Sequence, residues 1–302
     1  MQRPLQLQIY NTPDADVERL LTIAEMTNKY HFVSFEAWAM DALYNVISGL
    51  HGTPRAQYEL GRCLSMWMKR LLEVALLCQH TKLLNYVAER WVERIIDRDL
   101  RPIHALDIAD RSGIRELQGY AYFIQLLEMD DDFHPGVVED GPKNSRWMSA
   151  FTLAGPHGNG NGGSSATERA GTPASLSCEH KDRLLSGHWS LSRLWERLQS
   201  KPPLFQQGDG CANHQQGCLA TWTQVWQELG KSDSALKLPA ADVPGRLRGM
   251  EQHLYLNGGL YAHLSRGLAP ECRRSVIVAL RKTIMDVEGG LADHFLPRVH
   301  TP

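Results

Sequence analysis

The chain has 302 residues, 43% hydrophobic and 22% charged, which is enough apolar material for one large or two ordinary globular domains. Its 32 Lys and Arg are balanced by 34 Asp and Glu, so no overall positive charge favours phosphates or anionic lipid. We find no secretory leader and no apolar run of the roughly 20 residues needed to span a bilayer. These features predict an intracellular protein, cytoplasmic or nuclear, with no nucleic-acid or membrane binding.

Three segments in the first half of the chain predict pairs of helices. They are Leu20–Trp38, Leu71–Trp91 and Ala105–Phe123. In each, apolar residues spaced three and four apart fall on one helix face, a short polar break follows, and a second apolar stretch begins. The matching positions are Leu20, Ile23, Ala24, Phe32 and Phe35; Leu71, Val74, Ala75, Leu83 and Tyr86; and Ala105, Ile108, Ala109, Ile114 and Leu117. The pattern predicts stacked antiparallel helix pairs.

A Gly-rich stretch, GPHGNGNGGSSATERAGTPASLS (Gly155–Ser177), separates this region from the rest of the chain. It has too few apolar side chains to offset the entropy of ordering, so we predict a flexible linker or loop. The expected organisation is 1–50, 51–154, 155–177 and 178–302. The first region holds the first helix pair, the second the remaining pairs, the third the linker, and the last a carboxy-terminal helical region.

Helical periodicity returns after the Gly-rich stretch. In Lys181–Gln199 a single stripe is predicted, formed by Leu184, Leu185, His188, Leu191, Trp195 and Leu198. Two further helices are predicted at Cys218–Gly230 and Pro270–Leu291. We expect Trp195, Trp222 and Trp226 to be core residues and leave Trp189, which is off its stripe, open. No alternating strand pattern occurs, so the predicted fold is mainly α.

The segment DVERLLTIAEMTNKYHFVSFEAWAMDALYNVI (Asp16–Ile47) resembles the last two helices of a BTB/POZ domain. The wider chain, including LRPIHALDIADRSGIRELQGYAYFIQLL, is similar to the carboxy-terminal region of fungal BTB/POZ-containing proteins. The resemblance implies a protein-interaction or adaptor role. Only about a dozen residues precede Asp14, so most of a BTB module would be missing, and no binding residue is carried over.

Catalytic signatures are not apparent in the sequence. We find no G-x-S-x-G, H-E-x-x-H or Walker loop, and the 13 histidines are mostly isolated. A non-catalytic protein-interaction or adaptor module is therefore the leading prediction. The alternatives are a zinc-stabilised helical binding domain and, less favoured, an enzyme of unrecognised class.

The most chemically suggestive motif is C-x2-H-x3-C, formed by Cys211, His214 and Cys218. The plainer interpretation is a buried Cys218 at a helix start with Cys211 and His214 in an ordinary loop, and we then expect no cofactor. The alternative is a structural zinc site, for which thiolate and imidazole are suitable ligands. A fourth ligand would come from Cys178, His180 or His188, and zinc would then join the loop to the Lys181–Gln199 helix. A Cys211–Cys218 disulfide is disfavoured by a reducing compartment.

Overall fold

The fold is mainly α, as the sequence predicts. The computed structural model describes residues 16–48, 65–133, 176–256 and 258–296. About 80% of these residues are helical, and they contain 13 α-helices and no strand. Within the same ranges no helix combines the length and the apolar character needed to cross a bilayer. The predicted linker, Gly155–Ser177, lies outside the described residues except for its last two positions.

The described residues divide into two compact units, one ending at Ala121 and the other beginning at Tyr122. The first unit is built from three consecutive helix pairs. They are α1 (Val17–Lys29) with α2 (Val33–Ser48), α3 (Ser65–Leu77) with α4 (Thr81–Ile96), and α5 (Ile103–Ser112) with α6 (Arg115–Phe133), of which α6 continues into the second unit. Each predicted helix–turn–helix segment is therefore confirmed.

Local chemistry explains where these helices begin and end. Asp16 caps α1, because its carboxylate accepts hydrogen bonds from the backbone N–H groups of Glu18 and Arg19. The imidazole of His80 caps α4 by accepting from the N–H of Leu83. Gly113 ends α5 with a φ of 66°, a left-handed conformation that glycine adopts without steric cost.

The helix pair α1 and α2 differs from the pair α3 and α4 in the exposure of the residues at the start of its second helix. Phe32 and Phe35 are 58% and 50% exposed, whereas Leu83, which matches Phe32 in the sequence pattern, is fully buried. The first-helix positions Leu20 and Ala24 are buried as expected. The turn between α1 and α2 therefore presents aromatic side chains to solvent.

The second unit contains the remaining helices and one turn of π-helix. Its helices are α7 (Cys178–Ser200), α8 (Leu219–Gly230), α9 (Asp233–Leu236), α10 (Val243–Leu256), α11 (Gly258–Gly267), α12 (Pro270–Gly289) and α13 (Ala292–Phe295). The π-helical turn spans His214–Cys218 and leads directly into α8. A non-helical segment, residues 201–213, connects α7 to this turn.

Tryptophans organise the core of the second unit. Trp195, Trp222 and Trp226 are at most 3% exposed, which confirms the predicted core, while Trp189 is 66% exposed. The indole N–H of Trp226 donates to the carbonyl of Leu198, at 2.8 Å. This bond satisfies the N–H donor of a ring that is otherwise in an apolar environment.

The predicted stripe on α7 is wrong at two positions. Leu185 is 71% exposed, and His188 is exposed as well. The buried face runs instead through Leu184, Gly187 and Leu191, because each of the misassigned residues lies about 100° around the helix from a residue of that face. Gly187 belongs to the contact, since a Cβ there would clash with the ring of Phe295.

Candidate metal centre

Four buried side chains of the second unit form a cluster with the composition of a metal site. They are Cys211, His214, Cys218 and Cys272, and their candidate ligand atoms all lie within 4.8 Å of one another. Among the residues that the structure describes, this is the one such group found. The three residues of the C-x2-H-x3-C motif are therefore brought together with a fourth residue that the sequence analysis did not select.

The first ligand position is set by a tight turn over residues 208–211. The N–H of Cys211 donates to the carbonyl of Gly208 at 3.2 Å, and Gly210, inside the turn, has a φ of 72°. Only glycine adopts this backbone conformation easily, so the sequence Gly-Asp-Gly-Cys is suited to the turn. The amide of Gln207 also donates to the carbonyl of Cys211, at 2.6 Å.

A π-helical turn sets the next two positions. The N–H of Cys218 reaches back to the carbonyl of Asn213 at 3.3 Å, five residues earlier, and the N–H of Leu219 bonds the carbonyl of His214. Such wide turns are rare and occur often at functional sites. Here the turn places the imidazole of His214 and the thiol of Cys218 on the same side of the chain.

The segment before the π-helical turn is held against α8 by an indole. Trp222 donates from its Nε1 to the carbonyl of Pro203 at 3.0 Å. Farther along, the ring of Phe205 meets the imidazole of His214 edge to face, with centroids 5.0 Å apart. The segment that carries Cys211 is therefore held against α8 and the π-helical turn.

The fourth member, Cys272, lies in the first turn of α12, which begins with Pro270. Its sulfur is fully buried and lies 3.6 Å from Nδ1 of His214. The backbone N–H of Gly208 donates to the same sulfur at 3.3 Å. A Cβ at Gly208 would clash with the Cβ of Glu271 and lie 2.9 Å from the nitrogen of Cys272, so only glycine permits this approach.

The sulfur of Cys272 has a backbone hydrogen bond in addition to its contact with His214, and the donor is the N–H of Gly208. Backbone N–H donors stabilise negative charge on sulfur, and metal-bound thiolates commonly have such partners. The N–H of Gly208 would serve as such a partner if Cys272 binds a metal.

The thiols of Cys211 and Cys218 titrate as a pair. Burial is the main cause that raises the pKa of Cys218 to about 11, against the opposing backbone bond from Ala269. Burial also acts to raise the pKa of Cys211, but hydrogen bonds from the thiols of Cys218 and Cys272 outweigh it and lower that pKa.

The structure corrects the expected fourth ligand. None of Cys178, His180 and His188 belongs to the cluster. Cys178 and His188 are exposed, and His180 packs edge to face on Tyr122 at 6.0 Å. The loop is therefore joined to the first turn of α12, and the expected connection to the Lys181–Gln199 helix is wrong.

Sequence reasoning missed Cys272 because it falls on an ordinary apolar stripe. Cys272, Val276, Leu280 and Ile284 repeat every four residues and are all buried. A cysteine in such a pattern is usually a small hydrophobic core residue. The one signal that distinguishes it is its place in the first helical turn after Pro270, where backbone N–H groups favour negative charge.

No family model, curated protein or solved structure matches the chain. The resemblance to BTB/POZ-containing proteins therefore stays a prediction.

Proposed function

We propose that the second unit binds one structural Zn²⁺ through Cys211, His214, Cys218 and Cys272, and that the protein is a zinc-stabilised helical binding domain. The observation that carries this proposal is the convergence of four buried ligand atoms within 4.8 Å. These atoms come from a loop, a π-helical turn and a helix that begins more than fifty residues later. The cluster also includes an imidazole nitrogen, Nδ1 of His214, which lies 3.6 Å from the sulfur of Cys272.

The spacing of the ligand atoms fits a tetrahedral zinc ion. With Zn–S near 2.3 Å and Zn–N near 2.05 Å, tetrahedral geometry requires about 3.8 Å between two sulfurs and about 3.6 Å between a sulfur and a nitrogen. The Sγ atoms of Cys211 and Cys218 are 3.6 Å apart, and Sγ of Cys272 is 3.6 Å from Nδ1 of His214. Small side-chain movements would complete the coordination shell.

The donor set favours zinc and a structural role. Three sulfurs and one imidazole are soft or borderline ligands, which select Zn²⁺ over the oxygen-preferring Mg²⁺ and Ca²⁺. All four positions of a tetrahedral ion would be filled by protein, so no position stays open for water or substrate. Zinc here would join the loop and the π-helical turn to the start of α12.

Zinc stoichiometry in protein purified without chelator tests the site. We expect one zinc per chain, and after exchange to Co²⁺ the intense visible bands and sulfur-to-cobalt charge transfer of a tetrahedral thiolate-rich site. Cys272→Ser should lose most of the metal. Cys178→Ser is the matched control, because Cys178 is exposed and outside the cluster, and it should retain full stoichiometry.

Substoichiometric zinc in the wild-type protein, or full zinc retention by Cys272→Ser, would contradict this coordination. If Cys272→Ser retains zinc and Cys178→Ser loses it, the fourth ligand would be Cys178, one of the residues expected from the sequence. Either result is read directly from metal analysis and needs no knowledge of a partner.

We also propose that the chain acts by binding other proteins rather than by catalysis. The feature that supports this role lies in the first unit, where Tyr30, Phe32, Val33 and Phe35 are each at least 50% exposed around one turn. The ring centroids of Tyr30 and Phe32 lie 6.4 Å apart, so two of these exposed side chains are adjacent. Continuous apolar patches with aromatic residues are typical of protein-binding surfaces.

A paired substitution tests the binding role. Phe32→Ser combined with Val33→Ser should remove partners that the wild-type protein recovers in quantitative co-purification. The matched control is Leu185→Ser in the second unit, which replaces a residue of similar exposure and should leave the recovered set unchanged. Equal recovery by all three proteins would contradict a role for this surface.

A further inference from the structure

We propose that hydrogen peroxide oxidises Cys211 and Cys218 to a disulfide and so releases the zinc ion, which makes the centre a redox-sensitive modification site. The inference rests on the zinc site proposed above. The juxtaposition that carries it is the 3.6 Å separation of the two Sγ atoms inside one short segment. A disulfide requires about 2.05 Å, so the sulfurs need to approach by only roughly 1.5 Å.

The contacts in the cluster select this pair among the three cysteines. Cys211 and Cys218 are seven residues apart, and each follows a glycine, Gly210 or Gly217, directly in the chain. Cys272 is anchored differently, because its backbone belongs to α12 and its sulfur contacts the N–H of Gly208 and the imidazole of His214. Closing the shorter loop moves less of the structure.

The reaction balances with peroxide as the oxidant. In the zinc-bound state both sulfurs are thiolates. One thiolate attacks peroxide to give a sulfenic acid and hydroxide, and the second thiolate displaces hydroxide from that sulfur to form the S–S bond. The two sulfurs lose two electrons, and peroxide gains them to become two hydroxide ions, which take protons from the solvent to give water. Only Cys272 and His214 then remain as ligands, so Zn²⁺ is released.

The position of the cluster gives a small oxidant a short path. Cys211 is 8% exposed, and its chain neighbours Gly210, Ala212 and Asn213 are exposed. Cys211 therefore lies in a segment whose neighbouring residues are open to solvent. Oxidation would consume two of the four ligands and remove the metal connection between residues 211–218 and α12.

Titration of the zinc-loaded protein with peroxide tests the inference. A zinc-binding dye should report one zinc released per chain as one equivalent of peroxide is consumed, and the intact mass should fall by two hydrogen atoms. Peptide mapping should find the Cys211–Cys218 disulfide. Reduction with a dithiol followed by added zinc should restore the original mass and metal content.

Cys178→Ser is the control, because it removes an exposed thiol outside the cluster and should release zinc as the wild type does. Release that disappears in Cys178→Ser would overturn the switch by assigning oxidation to that thiol. Zinc that stays bound at several equivalents of peroxide would overturn the switch alone and leave the zinc site standing. A disulfide that includes Cys272 would overturn the assigned pair, and protein that contains no zinc at the outset would overturn the metal site together with its switch.

Discussion

The two compact units reach a folded state by different means. The first unit is held by apolar packing of helix pairs, with Leu20, Leu72, Leu83 and Trp91 all fully excluded from solvent or nearly so. The second has a comparable tryptophan-rich core but also contains residues 201–213, which have no regular helix of their own. This segment is held by the bond from Trp222 to the carbonyl of Pro203 and by the Cys and His cluster. On the proposal of a zinc centre, a metal ion would supplement apolar packing where the chain forms no regular helix.

Metal removal should produce the largest difference in stability between the two units. When free zinc exceeds the Kd by about a thousandfold, its binding stabilises the folded state by about 4 kcal/mol. Removing zinc should therefore lower the free energy of unfolding of the second unit by about that amount and leave the first unit unchanged. Hydrogen exchange read by peptide mass should accelerate at residues 205–218 and at the start of α12. Equal acceleration in α1–α5 would contradict the division.

A cavity in the first unit should produce the reverse pattern. Leu43 in α2 is fully buried, and truncating such a leucine costs about 3 kcal/mol. Leu43→Ala should accelerate exchange in α1 and α2 and leave zinc affinity at its wild-type value. Leu185→Ala, at an exposed position, is the control and should change neither. A fall in zinc affinity in Leu43→Ala would show that the units are coupled.

Gly208→Ala tests, within the second unit, whether zinc affinity depends on the close approach of the loop to α12. The added methyl would displace the loop from Glu271 and weaken the bond from the Gly208 N–H to the sulfur of Cys272. Loss of a partner of this kind typically weakens metal binding by about 10- to 100-fold. Competition with a chromogenic chelator measures the change. Gly289→Ala is the control, because a Cβ there meets nothing within 4 Å, and it should bind zinc normally.

The smallest expected effect concerns an acidic residue of the second unit that is remote in sequence from the cluster. Burial raises the pKa of Glu288 above its ordinary value, although Arg248 lies 2.5 Å away and opposes the rise. A raised pKa means that ionisation is less favourable in the folded than in the unfolded state. The cost therefore appears as pH rises through the ordinary pKa of glutamate, and it is complete above the folded pKa.

Glu288→Gln should accordingly be slightly more stable than the wild type at neutral pH, with the difference disappearing at acidic pH. Urea unfolding of both proteins at the two pH values, after metal has been removed from each, measures the effect without interference from zinc loss. A wild-type protein that is the more stable at neutral pH would mean that the ion pair with Arg248 outweighs the burial of the carboxylate.

Much of the helical architecture was predictable, because helix faces are encoded by local spacing. Leu71, Val74 and Ala75 repeat at three and four residues, and all are buried in α3. The predictions that failed concern positions where the spacing of apolar residues is compatible with more than one buried face of the helix. Leu185 and His188 are next to buried positions in sequence but are exposed, and Phe32, directly before α2, is exposed as well. Apolar character alone does not decide which side of a helix meets a neighbour.

The sequence by itself determined three ligand candidates, since Cys211, His214 and Cys218 lie within one short segment and their spacing is visible in the letters. Only the tertiary structure decided the fourth. Cys272 is separated from Cys218 by α8–α11, and its four-residue spacing from Val276 is equally compatible with a core residue. Which distant helix turn meets the loop depends on how the intervening helices pack and on the close approach that Gly208 permits. Local spacing encodes neither of these, because both depend on contacts between residues far apart in the chain.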